Sequence, residues 1–439
     1  MKKIFLAPIF LVAGTCAAAL AAPEEADLAL LLHEALEGNP MLRAAEARLE
    51  SARRLPSQAE APPDPEVSLA YVNDGLSSIT LGDTEFSNLS LTWTQEVPYP
   101  GKLRRSVAVA QTEIEMADRD LEMARLEVAA AVKTGYADLY RLERTVALLR
   151  ETQSVLESLA QSARSRYEVG QDIQESIFKA QTEIVRLQAE QERVALDRKV
   201  AESRLNAAIG RPAESPIGPV PRLPAPPLPD NADLLMDAAV GASPGIRRLE
   251  AAVRRAEAGE ERARIELKPD FVWSAGYQYR GSLDPMVMGM FGVRLPLHRE
   301  RKQAQALLQA GSDLLASRHE LTDLQVRTRA AVRELVAQAE RAARLIVLYE
   351  QGIIPQARGA LESAQASYGV GRIAFLDLLN DLMILLNARV ELVTQESDRL
   401  KALAALEPLV ARELVPVSGP HAGQERSGDI QGGSDVHGR

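Results

Sequence analysis

The chain repeats itself. Asn39-Pro40-Met41-Leu42-Arg43 returns as Ser243-Pro244-Gly245-Ile246-Arg247, 204 positions on, and Pro65 falls on Pro269 at the same spacing. Val97-Pro98 recurs as Leu295-Pro296, and Tyr167-Glu168-Val169-Gly170 recurs as Tyr368-Gly369-Val370-Gly371, so the offset drifts only between 198 and 204. A unit of roughly 200 residues is too long for a solenoid repeat and reads as two copies of one architectural module. Any fold for this chain is therefore built from two like halves.

Lys2 and Lys3 lead into the uncharged run Ile4 to Leu20, and Ala19-Leu20-Ala21 supplies small residues at a cleavage site. Residues 1–22 are expected to be a secretory signal peptide. Cys16 is the only cysteine and lies inside that segment, so the mature chain is expected to have no disulfide. Cys16 is also a possible acylation site, although Thr15 stands where such sites usually carry a smaller residue. No later stretch reaches the roughly 18 to 20 uncharged apolar residues of a membrane helix, but an exported chain can still cross a membrane with strands. The net charge of −10, with acidic and basic residues interleaved, argues against a nucleic-acid partner.

Each half opens with apolar residues at helical spacing: Leu28, Leu31, Leu32, Leu36, Leu42 and Leu49, interrupted at Gly38-Asn39-Pro40. The period then changes from 3.6 to 2. Val67 to Val72 and Leu89 to Gln95 alternate as a strand pair, and Phe271 to Arg280 with Met286 to Leu295 repeat it around a loop at Gly281 to Pro285. Both tryptophans, Trp93 and Trp273, sit in these strands. Lys102 to Val169 contains no Pro and predicts a helix roughly 100 Å long, broken at Gly170 and followed by a second helix to Ile209. Glu300 to Val370, Gly371 and Ala374 to Leu414 repeat that hairpin. The organisation is thus repeat 1 over 23–210, a Pro-rich, surface-lying linker over 211–230, repeat 2 over 231–415 and a disordered Gly/Ser-rich tail over 416–439.

Four strands cannot close a membrane barrel, and open edges are not tolerated in lipid, so several copies must share one barrel. The duplicated helix–hairpin–long helix–turn–helix module resembles the TolC family of trimeric outer-membrane efflux channels, from about Glu25 to Val415. The two Tyr-x-Val-Gly turns carry the resemblance most sharply. Gln95-Glu96-Val97-Pro98-Tyr99-Pro100-Gly101-Lys102 is similar to the heavy-metal and cation branch. The resemblance implies a mixed α/β membrane protein. Two tandem repeats would form, as a homotrimer, a 12-stranded outer-membrane β-barrel on a periplasmic α-helical barrel. The partners it implies are outer-membrane lipid, a periplasmic adaptor and an inner-membrane pump, with no cofactor and no enzymatic activity.

The resemblance also implies site residues. Val169, Gly170, Gln171, Val370, Gly371 and Arg372 would form the tips that dock the adaptor. Asp377 stands where the family's first acidic pore ring falls, and Asn380, with Asp381 beside it, stands where a second Asp is expected. Tyr368 matches a tyrosine that locks the closed state, and the matched partner position is Ser176, with Glu175 adjacent.

Met286, Met288 and Met290 share one strand face and fit a soft-metal site or a barrel-wall stripe equally. The histidines His33, His298, His319, His421 and His437 lack ligand spacing, and no phosphate loop or nucleophile elbow is present. The cargo class expected for an efflux duct is metal cations or small toxic compounds. A type I protein-secretion duct uses the same fold, and a pore-free coiled-coil scaffold is the reading of another class.

Overall fold

The computed structural model describes residues 25–76, 79–81, 84–222, 226–228 and 232–416. The signal segment with Cys16, most of the Gly/Ser-rich tail and its two histidines lie outside them. The opening amphipathic stretch forms three helices rather than one: α1 (Leu28–Gly38), α2 (Pro40–Ala52) and α3 (Leu55–Glu60). Asn39 makes the first break. Its Oδ1 accepts from the Met41 N–H at 2.7 Å and caps α2, while its Nδ2 donates to the Ala208 carbonyl at 2.6 Å. The single amide therefore caps α2 and also satisfies a carbonyl at the end of another helix, α5 (Gln174–Ile209).

Strands β1 (Glu66–Val72) and β2 (Asn88–Val97) follow, then the long helix α4 (Lys102–Glu168) and α5. The second half runs α6 (Ala232–Ala242), α7 (Pro244–Ile265), β3 (Asp270–Arg280), β4 (Leu283–Arg294), α8 (Gln303–Leu348), a π-helical turn (Tyr349–Ile353), α9 (Ile354–Gly369) and α10 (Phe375–Val410). The α4/α5 and α9/α10 hairpins pack side by side around one core, in which Val132, Tyr136, Leu139, Leu156, Leu205 and Leu378 are buried.

The π turn has a cause that is legible in the repeat. Above it, buried positions correspond at an offset of 200: Val132 with Val332, Tyr136 with Val336, Leu139 with Ala339, Leu142 with Ala342. Below it the offset is 201: Leu156 with Ala357 and Ala163 with Ala364. One residue has been added to the second copy, and the wider turn absorbs it so that the apolar stripe keeps facing the core. Pro355 follows immediately, at the start of α9. In an α-helix its ring would strike the carbonyl four residues back, and the wider turn makes room for it.

The four strands form one antiparallel sheet in the order β1-β2-β3-β4. The β3–β4 connection is only Gly281 and Ser282, shorter than the loop read from Gly281 to Pro285. Asp284 and Pro285 belong to β4, at a register irregularity opposite Tyr279. Proline is tolerated there because the bulge needs no N–H from it. The linker also departs from expectation. Ile217 and Val220 are buried, and the Val220 N–H donates to Glu143 at 2.8 Å, so this segment belongs to the core rather than only to the surface.

Candidate functional site: a two-faced sheet and two helical tips

The register gives the sheet two chemically distinct faces. Val67, Leu69 and Tyr71 of β1 align with Leu89, Leu91 and Trp93 of β2, with Phe271, Trp273, Tyr277 and Tyr279 of β3, and with Val287, Phe291 and Val293 of β4. These side chains are mostly exposed, up to 83% for Val287 and 71% for Phe291. The other face carries Ser68, Ser90, Thr92, Thr94, Ser274 and Gln278. Met286, Met288 and Met290 lie on this polar face, opposite Gln278, Gly276 and Ser274. No cluster of three His, Cys, Asp or Glu side chains suited to a metal occurs among the described residues.

Aromatic rings mark both ends of the apolar band. Tyr99, Phe271 and Phe291 stack next to the helices, with centroids 6.5 and 6.0 Å apart. Tyr71 and Tyr279 sit at the remote end, both flanking Leu89 in the register. From Phe271 to Tyr279 is about 27 Å along a strand, or about 20 Å upright at a barrel's tilt, close to the apolar height of an outer-membrane barrel. No described helix is long and apolar enough to cross a membrane.

At the opposite end of the molecule the two hairpins turn alike. Gly170 (φ 74°) and Gly371 (φ 75°) take the left-handed conformation that favours glycine. The Gln171 N–H donates to the Arg166 carbonyl at 2.8 Å, and the Arg372 N–H donates to Ser367 at 2.9 Å, closing the same six-residue turn twice. Val169 and Val370 are each 68% exposed, and Gln171 and Arg372 are also exposed. The tips thus present two apolar knobs to solvent.

The tips are tied to each other. The Tyr368 hydroxyl donates to the Asp172 carboxylate, not to Ser176 or Glu175. Ser176 donates to that same carboxylate at 2.8 Å, and the Ile173 N–H donates to it at 2.7 Å. Glu175 instead pairs with Lys179 at 2.6 Å, one helical turn on. Asp172 escaped sequence reasoning because it lies in the turn before α5, where helical matching gives no position. The polar pair Gln171-Asp172 before the helix start was the available signal.

Arg166 completes the knot. Its guanidinium lies 5.0 Å from the Tyr368 ring centroid and donates to the Gly369 carbonyl at 2.9 Å, so it joins the first tip to the second. Burial alone would raise the Asp172 pKa. The hydrogen bonds from Tyr368, Ser176 and Ile173, with the Arg166 charge, outweigh it and hold the carboxyl below its ordinary range. Burial first, then the Asp172 bond, pushes the Tyr368 phenol up, so it stays a donor. Further along, Arg389 of α10 grips Glu151 of α4 bidentately at 2.7 and 2.9 Å, a second tie between the hairpins.

Asp377 and Asn380 are exposed on the first turns of α10, and Asp381 is half-buried on the same face. Neither aspartate makes an ion pair among the described residues. Asp381 also borders a groove of about 590 Å³ beside the π turn, with Leu348, Gly352, Ile353 and Ile384.

The model of the family described as outer membrane efflux protein matches residues 31–211 and 235–412. The outer membrane efflux protein BepC of Brucella suis biovar 1 (strain 1330) is 24% identical over 310 residues, spanning 69% of this chain and 67% of that protein. The outer-membrane channel OprN superposes with a TM-score of 0.76 at 18% identity, covering 89% of this chain and 91% of its own. VceC from Vibrio cholerae gives 0.74 at 22% identity, covering 87% and 95%. CusC gives 0.75 at 16% identity, covering 90% and 95%.

Proposed function

Because this chain belongs to the outer membrane efflux protein family, we propose that it is the exit duct of a tripartite efflux system, working as a homotrimer. The relatives are channels rather than enzymes, and catalysis has no role in this reading. The observation that carries it is the sheet. Its apolar aromatic face suits lipid and its polar face suits a lumen, yet among the described residues β1 pairs only with β2 and β4 only with β3, which leaves the outer edge of each unpaired. An unpaired edge in hydrocarbon leaves backbone groups without hydrogen bonds, at several kcal/mol each. Pairing β4 of one copy with β1 of the next removes every edge, and three copies supply twelve strands.

Below the barrel the helices would continue the lumen into the periplasm. The tips at Val169–Gln171 and Val370–Arg372 would dock a periplasmic adaptor linked to an inner-membrane pump. Tyr368–Asp172, steadied by Arg166, would hold the tips closed, and Asp377 with Asp381 would ring the throat with carboxylates that attract cations and resist anions. That ring, together with the run Gln95–Lys102, supports metal cations or small toxic cations as cargo.

Light-scattering mass in detergent and conductance in planar bilayers test the duct. Three chains per particle and a cation-preferring pore are expected. A conducting monomer, or a trimer that never inserts, would sink the reading.

A further inference from the structure

The ends of the sheet differ in charge. Among the described residues the remote β1–β2 connection carries Asp74 and Glu85 and no basic residue, whereas the helix-side junctions are dense in Lys and Arg. Most carboxylates at that junction are already paired: Glu266 and Asp270 with Lys102, Glu261 with Arg105 and Arg264, Glu96 with Arg294. Arg104, Arg262, Lys268, Arg299, Arg301 and Lys302 remain exposed and make no ion pair among the described residues.

Three of these six converge. Arg262 at the end of α7, Lys268 before β3 and Lys302 before α8 line one cleft of about 940 Å³, together with His298. Leu295 and Leu297 form part of its wall and are 60% and 84% exposed. Glu266 and Asp270 also line it but are held by Lys102, and Asp313 lies on α8 about 16 Å further along the helix axis from Lys302. The cleft thus joins surplus cations to an apolar lip, at the level where the aromatic ring of Tyr99, Phe271 and Phe291 ends.

We propose that this cleft binds the headgroup of an anionic phospholipid, of the phosphatidylglycerol class, from the leaflet next to the helices. The inference rests on the outer-membrane reading above. The phosphodiester accepts charge-assisted hydrogen bonds from the Arg262 fork and the two lysine ammoniums, while the first acyl carbons lie over Leu295 and Leu297. A zwitterionic headgroup neutralises its own phosphate and leaves the cations uncompensated. The junction therefore selects for lipid charge, and it fixes the depth at which the barrel sits.

Native mass spectrometry of the full chain, released from micelles doped with dioleoylphosphatidylglycerol or dioleoylphosphatidylcholine, tests this. Retention of phosphatidylglycerol and little phosphatidylcholine is expected. The triple variant Arg262→Gln, Lys268→Gln, Lys302→Gln should retain about a hundredfold less, from roughly fivefold per basic residue. Arg150→Gln, an exposed arginine far along α4, should change nothing. If the triple variant fails to assemble, Lys268→Gln alone should still show the fivefold loss. Equal retention of both lipids, or undiminished retention by the variants, overturns the site. Displacement of the lipid by inorganic phosphate overturns it too, because the cleft would then be a solute site. Conductance of the same samples reports separately on the duct: lost conductance with lipid selectivity intact refutes the duct and leaves the site standing.

Discussion

Replacing Tyr368 by Phe removes one oxygen from the knot between the tips and little else. The ring keeps its place over the Arg166 guanidinium and its edge contact with Phe375, 5.7 Å between centroids. What disappears is the hydrogen bond to the Asp172 carboxylate. A bond to a charged acceptor contributes about 1.5–3 kcal/mol, and Asp172 is only half-buried, so the lower end applies. At about 1.5 kcal/mol the closed-to-open ratio falls about tenfold per chain, and about a thousandfold if three chains open as a unit. Single-channel open probability in planar bilayers at neutral pH reads this directly. Asp172→Asn should behave alike, since it removes the charge that Tyr368 and Arg166 share. The pH dependence has a definite sign. A carboxyl held below its ordinary value of 3.8 contributes fully above that value and loses its contribution as pH falls through the depressed one. Open probability should therefore stay flat between neutral pH and about 4 as far as Asp172 governs it. A Phe variant as closed as its parent would refute the lock.

Changes at three places test the scaffold, each read by thermal or denaturant unfolding. Gly210 (φ 95°) and Ala411 (φ 49°) end α5 and α10 at corresponding places in the repeat. Ala411→Gly should stabilise by up to about 1 kcal/mol. Gly210→Ala should cost more, since its Cβ would stand 3.0 Å from Pro40 and 3.1 Å from the Asn39 backbone. Lys133 and Glu407 are a buried ion pair at 2.8 Å, and Glu407 also accepts from the Leu414 and Val415 N–H groups. Lys133→Met should cost about 3–5 kcal/mol by stranding the carboxylate. Adding Glu407→Leu should recover only part, because those two N–H groups lose their acceptor. Deleting Gly352 together with Pro355→Ala should turn the π turn into plain α-helix while α9 keeps its buried face. A loss of stability as large as a core substitution would contradict the insertion account.

The fold was legible because its signals are periodic. Alternation located four strands, long Pro-free runs located the helices, and the duplication tied the halves together. What escaped was aperiodic. The break after Ala52 lacks a glycine, and Pro56 alone hinted at it. Pro285 looked like a loop residue because the bulge that accommodates it forms only in the paired sheet. Ile217 and Val220 sat in a Pro-rich stretch whose composition hid two core side chains. Tyr368 was found from its motif, but its partner was sought on a helix and lies in the turn at Asp172. The paired Lys133 and Glu407 stand 274 positions apart, and nothing local announces them.

The wide turn at Tyr349–Ile353 makes the two halves of the chain unlike. In the proposed homotrimer three chains made of two like halves would present six hairpins, and identical halves would repeat the helical wall sixfold. Only the second hairpin carries the extra residue, with its groove beside Ile353 and Ile384 roughly 27 Å up the helix from the tip at Gly371, so the wall of that assembly would alternate between two kinds of groove. An adaptor of a single sequence that reached this level would then fit the two grooves unequally, or occupy three and leave three vacant.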